Sequence, residues 1–359
     1  MRGNKSMPVI NVLLLTKDHE YSERVTKFLS ARYSNIRVTS LDRISNISDV
    51  IRTASISVLL FGEEFSDAEL PETPGTARGK LVSRRAVCSL SDKIFCKYSS
   101  VDELYRIILG LYAEVSLVSD DTDGRSRIFS FVSTNGGAGS TAVSAAFAEN
   151  AARSGIKVLY LTLDKFESPI IGSDGDGEGC LSDLILSAIA SGKTRINLPA
   201  KAASLIKTDP AGVSYIQGCR YPNDFDEMNK EMLEKVIGAC ISSAEYGCVV
   251  IDGSLSSELI RDYILKNTDR LVLVADGDLS AAKKLRRYIM WLRNLDQKLN
   301  KDIMSRTSIV INKGSITARD GMIDGTPIAG AVPRYNDNNI RSIASAISRL
   351  DLCGNIRSR

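Results

Sequence analysis

The fold turns on one stretch, Ile128-Phe129-Ser130-Phe131-Val132-Ser133-Thr134-Asn135-Gly136-Gly137-Ala138-Gly139-Ser140-Thr141. Residues 128–132 read as a buried strand, 133–140 are small and glycine-rich, and 141–154 reads as an alanine-rich helix. A strand, a glycine turn and a helix in that order aim the turn's N–H groups and the helix N-terminus at one point, the geometry of an anion site. Glycines 136, 137 and 139 let phosphate approach the backbone with no Cβ in the way. Thr141 places a hydroxyl where Mg2+ is ligated in phosphate loops. Taken alone, the stretch also fits a tight turn with no ligand, because Ser140 stands where the pattern requires lysine.

Working outward, strands are expected at 157–163, 248–251, 270–274 and 308–311, with helical patterns at 181–191, 229–245 and 280–299 filling most gaps. Such alternation predicts a parallel sheet covered by helices. Leu159-Tyr160-Leu161-Thr162-Leu163-Asp164 and Val249-Val250-Ile251-Asp252-Gly253 are strand runs that end in carboxylates. Carboxylates at the carboxyl ends of parallel strands gather at the crevice where ligands bind. Each alone fits a helix cap or a solvated loop residue equally well.

From Ile128 onward the order of these motifs resembles the MinD/ParA group of deviant Walker ATPases. The resemblance implies that ATP sits on Asn135, Gly136, Gly137, Ala138, Gly139, Ser140, Thr141 and Ala142, with Mg2+ held by Thr141, Asp252 and Asp164. It also implies that Asp164 orients the attacking water, that Asn312 in Val310-Ile311-Asn312-Lys313 reads the adenine, and that Pro333 and Arg334 follow the last strand beside the base. Two departures bear on chemistry. Where the resemblance expects lysines, the chain has Asn135 and Ser140, so two positive charges are missing from a site that stabilises a transferring phosphoryl group. Binding survives on backbone N–H groups and Mg2+, and hydrolysis is expected to be weak or nil. Lys165, Lys313 and Arg334 are candidate substitutes, each also read as a solvated surface residue.

The first segment has strand-like runs at 9–15, 36–41, 58–61, 86–90 and 94–96, and helical patterns at 21–32 and 101–115. It resembles a response-regulator receiver, with Asp18 matching part of the acidic pair and Lys97 the receiver's lysine. The third strand ends in Phe61-Gly62-Glu63-Glu64, and Gly62 offers no nucleophile. This domain is therefore read as an unphosphorylated interaction or dimerisation module. The expected fold class is α/β in two domains: a receiver-like (flavodoxin-like) parallel sheet at 1–118, a polar linker at 119–127, and a P-loop NTPase-type parallel sheet at 128–359.

That pairing is similar to the TadZ/CpaE proteins of Flp (tight adherence) pilus systems. The resemblance implies a cytoplasmic homodimer at a cell pole, partnered by the pilus secretion ATPase or other Tad assembly components, with ATP mainly a structural or dimerising ligand. The alternative is a slow ParA/MinD-like partition ATPase acting on DNA or a membrane-associated partner. A net charge of only +3 gives no general case for DNA or a membrane surface. One histidine, seven cysteines and no CxxC pair argue against a zinc site and fit a reducing compartment. Gly192-Lys193-Thr194 reads as a helix end, and Asp174 to Gly179 as an acidic loop, since Ile185 stands where a calcium loop needs glutamate. Helix 280–299 is expected to pack through Leu285, Ile289, Leu292, Leu295 and Leu299 and show its charges to water, with a basic patch for an acidic partner or DNA as the alternative and Trp291 in packing.

Overall fold

The computed structural model describes residues 9–71, 73, 75–85, 88–89, 92–115, 126–165, 171, 179–190, 196–225, 227–299, 301–314, 321–337, 339–350 and 352–358. The chain divides into two compact units. One comprises Met1–Asp123 with Asp183–Leu205 and Lys235–Ala244, and the other Gly124–Ser182, Ile206–Glu234 and Glu245–Arg359. Most of the expected linker, together with Asp174, Asp176, Glu178 and Gly192-Lys193-Thr194, lies outside the described residues.

The first unit is built on five parallel strands, β1 (Ile10–Leu15), β2 (Ile36–Leu41), β3 (Val58–Gly62), β4 (Ala77–Val82) and β5 (Ile94–Cys96). Their order is β2-β1-β3-β4-β5, that of flavodoxin-like doubly wound sheets. Helices α1 (His19–Arg32), α2 (Ile47–Thr53) and α3 (Val101–Val115) complete it. Central β1 and β3 are apolar on both faces, as strands covered on both sides must be. β4 was not expected; Arg78 and Lys80 interrupt its apolar run, yet alternate residues Ala77, Gly79 and Leu81 are buried. Of the run expected at 86–90, only Cys88 and Ser89 are described, and Ser89 forms an isolated bridge to Ile94.

The second unit carries nine strands. They are β6 (Arg127–Ser133), β7 (Val158–Thr162), β8 (Lys207–Thr208), β9 (Val213–Tyr215), β10 (Cys248–Gly253), β11 (Arg270–Asp276), β12 (Thr307–Asn312), β13 (Met322–Ile323) and β14 (Thr326–Ala331). Their order is β13-β14-β12-β11-β6-β10-β7-β9-β8. All pairs are parallel except the short edge pairs β13–β14 and β8–β9, so a parallel sheet carries one antiparallel strand at each edge. The principal helices of the second half are α4 (Ser140–Arg153), α5 (Leu181–Ala190), α6 (Leu198–Leu205), α7 (Lys230–Ser242), α8 (Glu258–Asn267), α9 (Leu279–Leu299), α10 (Ile340–Ile347) and α11 (Leu352–Ser358). Residues 183–205 group with the first unit, where α6 packs on α3 and the Asn197 N–H donates to the Ala113 carbonyl at 2.9 Å.

Helix α4 explains how the glycine stretch is held in place. Its alanines let it lie close on the sheet, and Phe147 seats in the gap beside Phe129 and Phe131, with ring centroids 4.8 and 5.3 Å away. All three rings are buried. Replacing Phe147 with alanine should cost about 3–5 kcal/mol, read as a lower denaturant midpoint for the unit that contains β6. An unchanged midpoint would show that α4 is not anchored through this ring.

Candidate functional site

The parallel strands around β6 deliver their carboxyl ends to one edge, and there the loop between β6 and α4 opens onto a cavity of about 1410 Å3. Gly137 and Gly139 adopt φ of +72° and +86°, values that L side chains rarely take, so both are glycine for a backbone reason. Gly139 has a second reason, because a Cβ there would strike the amide nitrogen of Asn312. That Nδ2 donates to the Ala138 carbonyl at 2.7 Å, and the Asn312 Oδ1 accepts from the Lys313 N–H at 3.0 Å. Lys313, itself at φ +56°, reaches back and donates from Nζ to the Gly137 carbonyl at 2.5 Å, while pairing with Asp276 at 3.3 Å. The adenine-reading role expected of Asn312 meets an amide already engaged with the loop, and Lys313 is committed to the loop and Asp276.

Thr141 and the two strand-end carboxylates face the same cavity. Asp252, at the end of β10, is 4% exposed. Burial pushes its carboxyl up to about 7; hydrogen bonds from Thr141, Tyr160 and Ser140 pull it back, while the charge of Asp164 adds to the rise. The Tyr160 hydroxyl lies 3.3 Å from it. Hydroxyl and carboxylate oxygens with no softer donor suit a hard divalent cation such as Mg2+, which takes one or two carboxylates and completes its shell with water and phosphate oxygens. Among the described residues no group of three or more His, Cys, Asp or Glu is placed to hold a metal ion.

Of the sequence-derived site residues, Asn135, Gly136, Gly137, Gly139, Ser140, Thr141, Ala142, Asp164, Asp252, Asn312, Pro333 and Arg334 line this cavity. Ala138 does not; it is buried behind the loop and contributes its carbonyl to Asn312. Ser140 is buried and accepts a hydrogen bond from the Ser133 hydroxyl at 2.8 Å, so the position of the expected lysine carries a short neutral side chain engaged with its neighbour. Lys165 is not among the lining residues. One wall was not expected: Lys284, Arg287, Tyr288 and Trp291 of α9 also line the cavity. Their i, i+3, i+4, i+7 spacing marks one face of a helix, a signal present in the sequence.

No family model matches this sequence, and no curated protein matches it. Among solved structures, the ParA family ATPase from Chlorobium tepidum TLS is similar with a TM-score of 0.51 at 19% identity, over 65% of this chain and 98% of its own. The MinC:MinD cell division protein complex of Aquifex aeolicus is similar at 0.48 and 15%, over 65% and 96%. The septum site-determining protein MinD complexed with Mg-ADP from Pyrococcus horikoshii OT3 is similar at 0.44 and 18%, over 62% and 86%. The likeness to the Chlorobium protein is one of fold.

The first unit has its own polar cluster at the ends of β1, β3 and β5. Lys97, 8% exposed, pairs with Asp18 at 2.8 Å and lies over the ring of Tyr21. The hydrogen bond from Lys97, then that from the Tyr21 N–H, holds the Asp18 carboxyl below its usual range. Glu64 folds back so far that a Cβ on Gly62 would collide with its carboxylate. Burial would raise that carboxyl, but hydrogen bonds from Thr16 at 2.7 Å and the Lys17 N–H at 2.8 Å outweigh it and leave it below the usual range. The space of a side chain at 62 is thus taken by a carboxylate whose Oε1 already accepts two hydrogen bonds. Incubation with acetyl phosphate should leave the intact mass unchanged; an acid-labile adduct in stoichiometric yield would contradict this.

Proposed function

We propose that the chain binds Mg-ATP on the loop at 135–141 and uses it chiefly as a structural and dimerising ligand, as an assembly or polar-positioning factor of a Flp pilus secretion system. The observation that carries the nucleotide reading is the loop itself. Gly137 and Gly139 at positive φ, carbonyls tied back by Asn312 and Lys313, and Thr141 beside Asp252 together leave an open cradle at the start of α4. On this reading Thr141 and Asp252 hold Mg2+, which screens the phosphate charge, while Asp164 faces the cavity where water enters. Backbone N–H groups orient the phosphates without supplying a full charge.

Hydrolysis is slow on this account, because Asn135 and Ser140 offer no ammonium to the charge that develops on a departing phosphate. The first unit supplies association that does not depend on nucleotide, in keeping with its blocked acceptor position. The pilus assignment rests on the pairing of a receiver-like sheet without an acceptor aspartate with a ParA-type sheet. A second reading, a slow partition-type ATPase, is favoured by the fold shared with the ParA family ATPase from Chlorobium tepidum TLS. Among the described residues no helix is long and apolar enough to cross a membrane.

Titration calorimetry tests the nucleotide reading. The full chain should bind Mg-ATP, lose roughly tenfold or more in affinity (~1.4 kcal/mol) when Mg2+ is chelated, and lose that Mg2+ dependence in Asp252→Asn. Phosphate release should fall at least about a hundredfold below the ~10 per second of a median enzyme. Absence of binding, or affinity indifferent to Mg2+ in the unaltered chain, would refute the site. Release near the median rate would refute the ligand role, and it would equally contradict a slow partition-type ATPase.

A further inference from the structure

We infer that Lys284 and Arg287 of α9 supply, from outside the loop, the positive charge that Asn135 and Ser140 do not provide, and that they bind the outer phosphates of a nucleoside triphosphate. The inference rests on the nucleotide reading of the cavity and assigns it a phosphate-binding pair.

Among the described residues four cations line the cavity, Lys284, Arg287, Lys313 and Arg334, and the two on α9 form the only pair on one helix face. Lys313 is spent on the Gly137 carbonyl and on Asp276. Lys284 and Arg287 line the same cavity as the loop, both exposed, and among the described residues neither forms an ion pair. Their rotation about the helix is set by Leu285, Ile289 and Leu292, all 1% exposed or less, which fasten an adjoining side of α9 in the core. A turn later on the same face stand Tyr288 and Trp291, in edge contact with centroids 5.2 Å apart.

The local charge pattern supports an anionic partner. Lys283, Lys284, Arg286 and Arg287 crowd four cations into five positions, and α9 holds no carboxylate before Asp296. Like charges three residues apart on one helix repel, and a bound polyanion relieves that repulsion. Unpaired cations at the wall of a concave, low-dielectric cleft also concentrate anions there. Lys283 and Arg286 share the helix and the charge but do not line the cavity, so they serve as internal controls.

The full chain is compared with the double variants Lys284→Gln/Arg287→Gln and Lys283→Gln/Arg286→Gln, each titrated with Mg-ATP, ADP and AMP. Loss of charge-assisted bonds to phosphate should weaken Mg-ATP by roughly tenfold or more in the first variant, with a smaller loss for ADP and an unchanged AMP affinity. The second variant should bind all three ligands like the unaltered chain. Because all four side chains are exposed, unchanged thermal midpoints are expected and separate a binding effect from misfolding. If the two double variants weaken Mg-ATP equally, or if the first leaves the ATP-to-AMP ratio unchanged, the assignment to Lys284 and Arg287 fails while the nucleotide site stands. If the unaltered chain binds none of the three, the nucleotide reading falls and takes this inference with it.

Discussion

Two side chains at the end of β12 grip the glycine loop by its carbonyls, Asn312 at Ala138 and Lys313 at Gly137. A trans peptide points its N–H opposite to its C=O. Tying the Ala138 carbonyl to Asn312 therefore turns the Gly139 N–H away from β12. The Ala138 N–H is used within the turn, donating to the Asn135 carbonyl at 3.2 Å. Glycine at 139 follows from this grip, since any Cβ would enter the space of the Asn312 amide. The loop has one shape because β12 enforces it, and the N-terminus of α4 inherits its position from that shape and from Phe147 beneath it.

Electrostatics then separates holding phosphate from transferring it. The loop offers neutral donors, and neutral hydrogen bonds contribute about 0.5–1.5 kcal/mol net, against about 1.5–3 for those to charged groups. Beside it stands a buried carboxylate, Asp252, pushed up to about 7 mainly by burial. A divalent cation at Asp252 and Thr141 would favour the ionised carboxylate and neutralise part of the incoming phosphate charge. On the proposed reading the loop itself would bind through the metal and its backbone, and any full positive charge at the outer phosphates would come from Lys284 and Arg287 of α9 and not from the loop.

Much of this was legible in the sequence. Strand, glycine turn and helix at 128–154 appear as β6, loop and α4, and the strand runs ending at Asp164 and Asp252 bring both carboxylates to the cavity. The grip of Asn312 and Lys313 was not legible, because β12 is separated from β6 by β11 and only the folded sheet brings residues 312 and 313 to residues 137 and 138. The α9 wall was half visible: its apolar stripe was plain, but which cations the stripe turns toward the cavity depends on where the helix docks. β4 escaped notice because Arg78 and Lys80 dilute its alternation. In the first unit, Gly62 was visible in the sequence at the end of an apolar run, while the return of Glu64 into the space beside it required coordinates.

On the proposed reading residues 135–141 form a phosphate cradle made of backbone. Amide hydrogen exchange of the full chain, with and without Mg-ATP, tests it most directly, because it reads the backbone groups said to do the binding. Exchange is expected to slow chiefly in the loop and the first turn of α4. Saturating Mg-ATP that leaves exchange across this segment unchanged in the folded protein would contradict it.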